Sequence, residues 1–265
     1  MRQIGGAVNE AMEQLIKIGQ SFPCEYSPLD APHPPYLDAK WFCDGDGYLR
    51  QRDGNGVSTQ RCGCYQKWKR RQDIDERLKA FNDQLTPRMR QDLSMAARGT
   101  HVIGELTRSW NYRTPAVFIA GDSGLGKSVA ACMIMTEWMS RQVIQGLYLT
   151  TDMIAENAKA MAEEGNNAAA MKSSAWRQAS QNRGYAIILD DIGRERTSEA
   201  VRAEIGLLIR HMYDHGLRCV ITGNLAKGEL ASKYGNDIAS RIGDKRWCTL
   251  HRCSGKDQRP REWSD

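Results

Sequence analysis

Val117-Phe118-Ile119-Ala120-Gly121-Asp122-Ser123-Gly124-Leu125-Gly126-Lys127-Ser128 is the stretch on which the fold turns. A short apolar run leads into residues that fit G-x-x-x-x-G-K-[ST], and a helix-compatible run, Lys127–Gln142, follows. That strand–loop–helix order is what a phosphate-binding loop (P-loop) requires. Its glycines let backbone N–H groups wrap an anion, and the helix N-terminus adds the positive end of its dipole. On this pattern Gly121, Asp122, Ser123, Gly124, Leu125 and Gly126 form the cradle. Lys127 reaches the β- and γ-phosphates and Ser128 ligates Mg²⁺. The expected ligand is ATP with Mg²⁺.

Working outward, apolar runs at Ala116–Ala120, Gly146–Thr150, Ala186–Leu189, Cys219–Thr222 and, more weakly, Cys248–His251 alternate with helical stretches. The stretch 198–213 carries Val201, Ile205, Leu208, Ile209 and Met212 at helical spacing. This alternation predicts an α/β domain with a mostly parallel sheet. Ligands in such sheets bind at the carboxyl ends of the strands, and Ala186-Ile187-Ile188-Leu189 ends there in Asp190-Asp191. Asp190 is the expected Mg²⁺ holder, through water, and Asp191 the expected general base for the attacking water. Val220-Ile221-Thr222-Gly223-Asn224 brings an amide to the same edge. Asn224 would orient the lytic water, read the γ-phosphate, or simply form a turn.

Gly121–Ser128, Leu189-Asp190-Asp191-Ile192-Gly193, Thr222-Gly223-Asn224 and Ala239-Ser240-Arg241-Ile242 together resemble the AAA+ helicase loaders of the DnaC type. They are also similar to the IstB-type transposition helper ATPases. The Asp-Asp-Ile-Gly form is distinctive, because most AAA+ proteins carry Asp-Glu there. The resemblance covers about residues 90–260. It implies an AAA+ P-loop domain with a parallel five-stranded sheet in the order 5-1-4-3-2, the Asn224 strand lying between the P-loop strand and the Asp190 strand. It also implies that Arg241 is an arginine finger completing the ATP site of a neighbouring subunit in a self-oligomer. The implied function is ATP-dependent delivery of a replicative hexameric helicase to single-stranded DNA. A transposition helper and a zinc-stabilised DNA-binding adaptor with ATP as an assembly switch are the alternatives. No sensor-2 arginine is recognisable.

The chain before this domain has a different character. Val8, Met12, Leu15 and Ile16 form an amphipathic stripe, and prolines crowd residues 21–36. Tyr48–Arg52 and Val57–Arg61 flank Asp53-Gly54-Asn55-Gly56, a hairpin signal. The turn then pairs Tyr48 with Arg61 and Gly47 with Cys62, leaving Cys43 just past the open end. Cys43 and the tight Cys62/Cys64 pair, completed by Cys24, are a thiolate set for structural Zn²⁺. In phage-type loaders a C-x-x-C-x-G-x-G-Y segment precedes a later C-x-C. Cys43-Asp44-Gly45-Asp46-Gly47-Tyr48 is similar to its second half, but Lys40 stands in the first cysteine's place, so the fourth ligand is Cys24 or His33. A long helix with Ile74, Leu78, Phe81 and Leu85 on one face follows, and Thr86-Pro87 restarts a helix. The expected domains are therefore 1–85 (helical, zinc-binding, partner-gripping), 86–113 (linker helix) and 114–265 (ATPase).

Hydrophobic residues at 41% and charged residues at 26% suit a packed core and exclude wholesale disorder. No apolar run approaches the roughly 18 residues of a membrane span. Met1-Arg2-Gln3-Ile4-Gly5-Gly6 lacks a signal pattern, so a cytoplasmic chain with reduced thiols and no membrane partner is expected. The net charge of +5 is too mild to decide nucleic-acid binding. Two segments mix cations with an aromatic, as single-strand binding requires: Lys67-Trp68-Lys69-Arg70-Arg71, equally a solvated helix face, and Lys172 with Trp176 and Arg177. His211 and His215 have ligand-like spacing but are expected to complement a helix C-terminus. Met133, Met135 and Met139 are expected in the core.

Overall fold

The computed structural model describes residues 41–43, 48–53, 56–61, 63–98, 114–142, 144–164, 176–193, 199–225 and 227–255. The stripe at 8–16, the proline-rich stretch, Cys24, His33, Lys40, Cys62 and Lys172 lie outside them. Two compact units divide between Asp73 and Ile74.

In the first unit β2 (Tyr48–Asp53) and β3 (Gly56–Arg61) form the expected antiparallel hairpin, with Tyr48 opposite Arg61 and Asp53 opposite Gly56. The sequence reading omitted β1 (Trp41–Cys43), which pairs antiparallel with β2 and sets Cys43 opposite Leu49. Three residues are too few to show a period of two. Cys43, Tyr48 and Arg61 consequently share one end of a three-stranded sheet. Helix α1 (Gly63–Gln84) begins here and continues into the second unit.

The second unit is a three-layer sandwich. Strands β4 (Ala116–Ala120), β5 (Gln145–Thr150), β6 (Tyr185–Ile192), β7 (Arg218–Gly223) and β8 (Cys248–Arg252) lie in the order β5-β6-β7-β4-β8, parallel throughout. Counting the strands of this unit alone, that is 5-1-4-3-2. The Asn224 strand β7 lies between the P-loop strand β4 and the Asp190 strand β6, as the resemblance implied. Alternation along each strand divides the core. Val117, Ile119, Ala186, Ile188 and Val220 face α3 (Lys127–Arg141) with its Ile134, Met135 and Trp138. Phe118, Ile187, Leu189 and Ile221 face the other way. They meet α5 (Glu199–Asp214), α6 (Lys227–Tyr234) and α7 (Asn236–Ile242), while α4 (Thr151–Glu164) brings Ile154 to the same side. Strands covered on both faces read as continuous apolar runs, and for that reason they were legible.

The end of α1 and α2 (Pro87–Arg98) belong to this unit, packing Phe81, Leu85 and Ala96 into the α3 face. Thr86 caps α2 as expected, its Oγ1 accepting the Met89 N–H at 3.2 Å. Phe81 fits because β5 carries glycine at 146, where a Cβ would lie 2.8 Å from its ring. One turn on, the Gln84 side chain treats β5 as a ladder partner. Its Nε2 donates to the Gly146 carbonyl at 3.0 Å and its Oε1 accepts the Tyr148 N–H at 3.0 Å. A single amide thus covers part of an otherwise unpaired sheet edge. No described helix is long and apolar enough to cross a membrane.

Candidate nucleotide-binding site

The P-loop joins β4 to α3. Gly124 (φ 81°) and Gly126 (φ 78°, ψ 18°) occupy left-handed conformations that an L side chain resists. Gly126 caps α3 without a side-chain acceptor, so the first N–H groups of the helix remain available to an anion. Leu125 is buried beneath the loop and Ser128 is half-buried at the second position of α3.

Lys127 is only 7% exposed, and all three of its ammonium protons have partners. Nζ donates to the carbonyls of Gly121 and Asp122, each at 2.7 Å, and to Asn224 Oδ1 at 2.8 Å. Burial pushes its pKa below the usual lysine value, against the pull of the Asp191 and Asp190 carboxylates. The Asn224 Nδ2 donates to Ser123 Oγ at 3.2 Å. The amide at the end of β7 thus bridges the loop and its lysine.

Asp190 is 5% exposed and both carboxylate oxygens are engaged. Tyr148 O–H donates to Oδ2 at 2.6 Å and Thr222 Oγ1–H donates to Oδ1 at 2.5 Å. Burial and the neighbouring Asp190 charge raise the Tyr148 pKa, keeping its proton in place as donor. Each oxygen retains a lone pair, and hard carboxylate oxygen suits Mg²⁺, so the donor set fits that ion. Asp191 has φ 63°, alone among the described non-glycine residues in being positive. Such a conformation costs about 1–3 kcal/mol and is concentrated at functional sites. Its N–H donates to Thr222 Oγ1 at 2.8 Å and its carbonyl accepts Thr151 Oγ1–H at 3.1 Å.

Lys127, Ser128, Asp190, Asp191 and Asn224 therefore belong to the carboxyl ends of three adjacent strands and the helix that follows the first. Arg241 does not join them. It lines a cavity of about 530 Å³ with Tyr213, Asp237 and Asp244. There it donates to Asp237 Oδ2 at 3.3 Å and lies 5.5 Å from the Tyr213 ring centroid. A larger cavity of about 740 Å³ touches the loop at Gly121 and Asp122 and runs between β8 and α6/α7. It does not include Lys127.

One sequence expectation changes. Trp176 is 8% exposed within the core, and Arg177 is paired with Glu204 at 2.8 Å, so this pair does not offer a stacking platform for bases. Lys67, Lys69, Arg70 and Arg71 are exposed on α1, where Lys69 meets Asp73 at 3.1 Å. Among the described residues no three potential ligands gather to hold a metal, but Cys24 and Cys62 lie outside them. His211 lies in the last turn of α5 and His215 just past its end, and the Nδ1 of His211 lies 3.2 Å from Ser180 Oγ. Met135 and Met139 are core, Met133 partly so. Residues that sequence reasoning missed are Tyr148 and Thr151; Thr222 was noticed only as part of a motif.

No family model matches the chain, and no curated protein matches it in sequence. Solved structures with a similar arrangement include the DnaC helicase loader, at 22% identity and TM-score 0.44 over 56% of this chain and 85% of that one. DnaI is similar at 16% identity and TM-score 0.43, over 59% and 80%. Domain III of the Thermotoga maritima replication initiation protein DnaA is similar at 15% and 0.43, over 57% and 59%. The strand order β5-β6-β7-β4-β8 and the glycine loop after β4 make the second unit an α/β domain with a P-loop at the carboxyl end of its sheet.

Proposed function

We propose that this chain is an ATP-dependent loader that delivers a replicative hexameric helicase onto single-stranded DNA. The observation that carries the ATPase part is the convergence of Lys127, the Asp190-Asp191 pair and Asn224 on one sheet edge. ATP binds with its phosphates along Gly121–Gly126 and at Lys127, while Ser128 and Asp190 hold the Mg²⁺, which neutralises phosphate charge. Asp191 takes the proton of the attacking water and Asn224 orients that water or the γ-phosphate. Arg241 serves the site of a neighbouring subunit, where such a charge is worth about 10³–10⁵ in rate.

The part of the 1–85 region up to Asp73 grips the helicase, while residues 74–98 pack with the ATPase unit. Cys43, Cys62 and Cys64, with Cys24 or His33, hold structural Zn²⁺ there; zinc at one ion per purified chain, lost on Cys62→Ser, is the supporting result. The exposed cations at 67–71 supply salt-sensitive phosphate contacts.

The test combines the full chain with a purified replicative hexameric helicase, ATP and a single-stranded DNA circle. A complex that forms with ATP and leaves helicase on the circle supports the reading. Binding to a transposase in its place would transfer the same ATPase to the transposition-helper role. Arg241→Ala should hydrolyse ATP about 1,000-fold more slowly. Adding an equal amount of the Lys127→Ala chain should restore part of that rate, since each chain supplies what the other lacks. No recovery on mixing would refute a finger acting between subunits.

A further inference from the structure

The geometry points to Thr222 as a positioning residue for ATP hydrolysis, an inference that rests on the ATPase reading above. Successive strand residues point to opposite faces, so Asp190 and Asp191 on a regular β6 could not both serve one ligand edge. The strand is not regular there. Leu189 lies opposite Ile221 and Ile192 opposite Gly223, so β6 fits two residues where β7 has only Thr222. This is a β-bulge, and Asp191 adopts its left-handed conformation inside it.

A bulge leaves ladder groups without their usual partners, and the Thr222 side chain takes over that task. Its hydroxyl accepts the Asp191 N–H at 2.8 Å and donates its own O–H to Asp190 Oδ1 at 2.5 Å. One donor and spare acceptor capacity are what a hydroxyl has to give. Thr222 is 1% exposed, so water is a poor substitute for either bond. Tyr148 touches Asp190, and Thr151 touches Asp191 from the far side. Thr222 touches both acids. It also stands two residues before Asn224, whose amide holds Lys127. The hydroxyl therefore ties the orientation of the metal-holding acid to that of the acid meant for water, on the strand that carries the lysine's partner.

Thr222→Val keeps the shape and β-branching while removing both bonds, and Thr222→Ser keeps the hydroxyl. Steady-state hydrolysis by the full chain should show kcat about 100-fold lower in T222V. T222S should recover kcat to within about fivefold of wild type. A second readout does not depend on turnover. Binding of a fluorescent ATP analogue should tighten on adding Mg²⁺ in wild type and T222S, and that gain should vanish in T222V. Thermal melts establish that the variants fold, and Thr222→Ala carries the same test if T222V does not.

T222V turning over within about threefold of an active wild type would overturn the role of Thr222 and leave the ATPase reading intact. T222S as slow as T222V would do the same, because the hydroxyl would then not be the working group. A wild-type chain that binds the analogue but hydrolyses no ATP would overturn both.

Discussion

Lys127→Ala is expected to give a folded chain with nucleotide affinity lowered about 1,000-fold and no measurable hydrolysis. The magnitude follows from the bonds lost: each charge-assisted hydrogen bond to phosphate contributes about 1.5–3 kcal/mol, and the ammonium supplies up to two to the β- and γ-phosphates. The fold should tolerate the change. Lys127 is 7% exposed and burial lowers its pKa, so removing it relieves a desolvation cost. Against that, the Gly121 and Asp122 carbonyls and Asn224 Oδ1 lose a shared donor. The two effects oppose each other, and a net change of about 1 kcal/mol is expected. Thermal unfolding reads both quantities at once. Ligand that binds only the folded state raises the midpoint, so ATP should shift the wild-type melt and leave the variant's in place. Lys127→Arg should not rescue, because a planar fork is not interchangeable with a compact ammonium in so enclosed a site. A K127A chain that still hydrolyses ATP would remove the phosphate role of this loop.

Asp191→Asn should lower kcat about 1,000-fold while leaving ATP affinity close to wild type. The substitution suits the backbone unusually well. Asp191 sits at φ 63°, and asparagine is among the few non-glycine residues enriched there. Its N–H and carbonyl bonds to Thr222 and Thr151 come from the main chain and survive the change. The variant thus keeps these main-chain bonds while losing the carboxylate's ability to take a proton and its negative charge near Lys127. Single-turnover hydrolysis with bound ATP separates that chemical step from binding. Unchanged turnover would exclude Asp191 as the base; weaker binding with unchanged kcat would make it a ligand-holding group instead.

Much of the site was legible because its chemistry is local in sequence. The left-handed turns of the P-loop need glycine, the phosphates need a lysine one helical step later, and all of these lie within Gly121–Ser128. The strands were legible because a sheet covered on both faces leaves no polar alternation to confuse the reading. Aromatic–cation clustering misled at Trp176 and Arg177. Neighbours in sequence do not report burial, and this pair turned out to be a core indole and an ion-paired guanidinium.

Composition, motif spacing and hydrophobic period were enough to determine an α/β domain with a P-loop motif and its strand-forming segments, and to nominate residues for its chemistry. Those properties reside in short stretches of chain, where backbone conformation and residue type decide the outcome. Only the tertiary structure decided how Asp190 and Asp191 come to share an edge. That depends on a bulge opposite Thr222, thirty-odd residues away, and on Tyr148 reaching across from β5. It likewise decided that Gln84 closes part of the β5 edge and that Arg241 lines a cavity with Tyr213, Asp237 and Asp244. Such contacts join elements distant in sequence, and they are set by sheet register and side-chain reach, which no local pattern encodes.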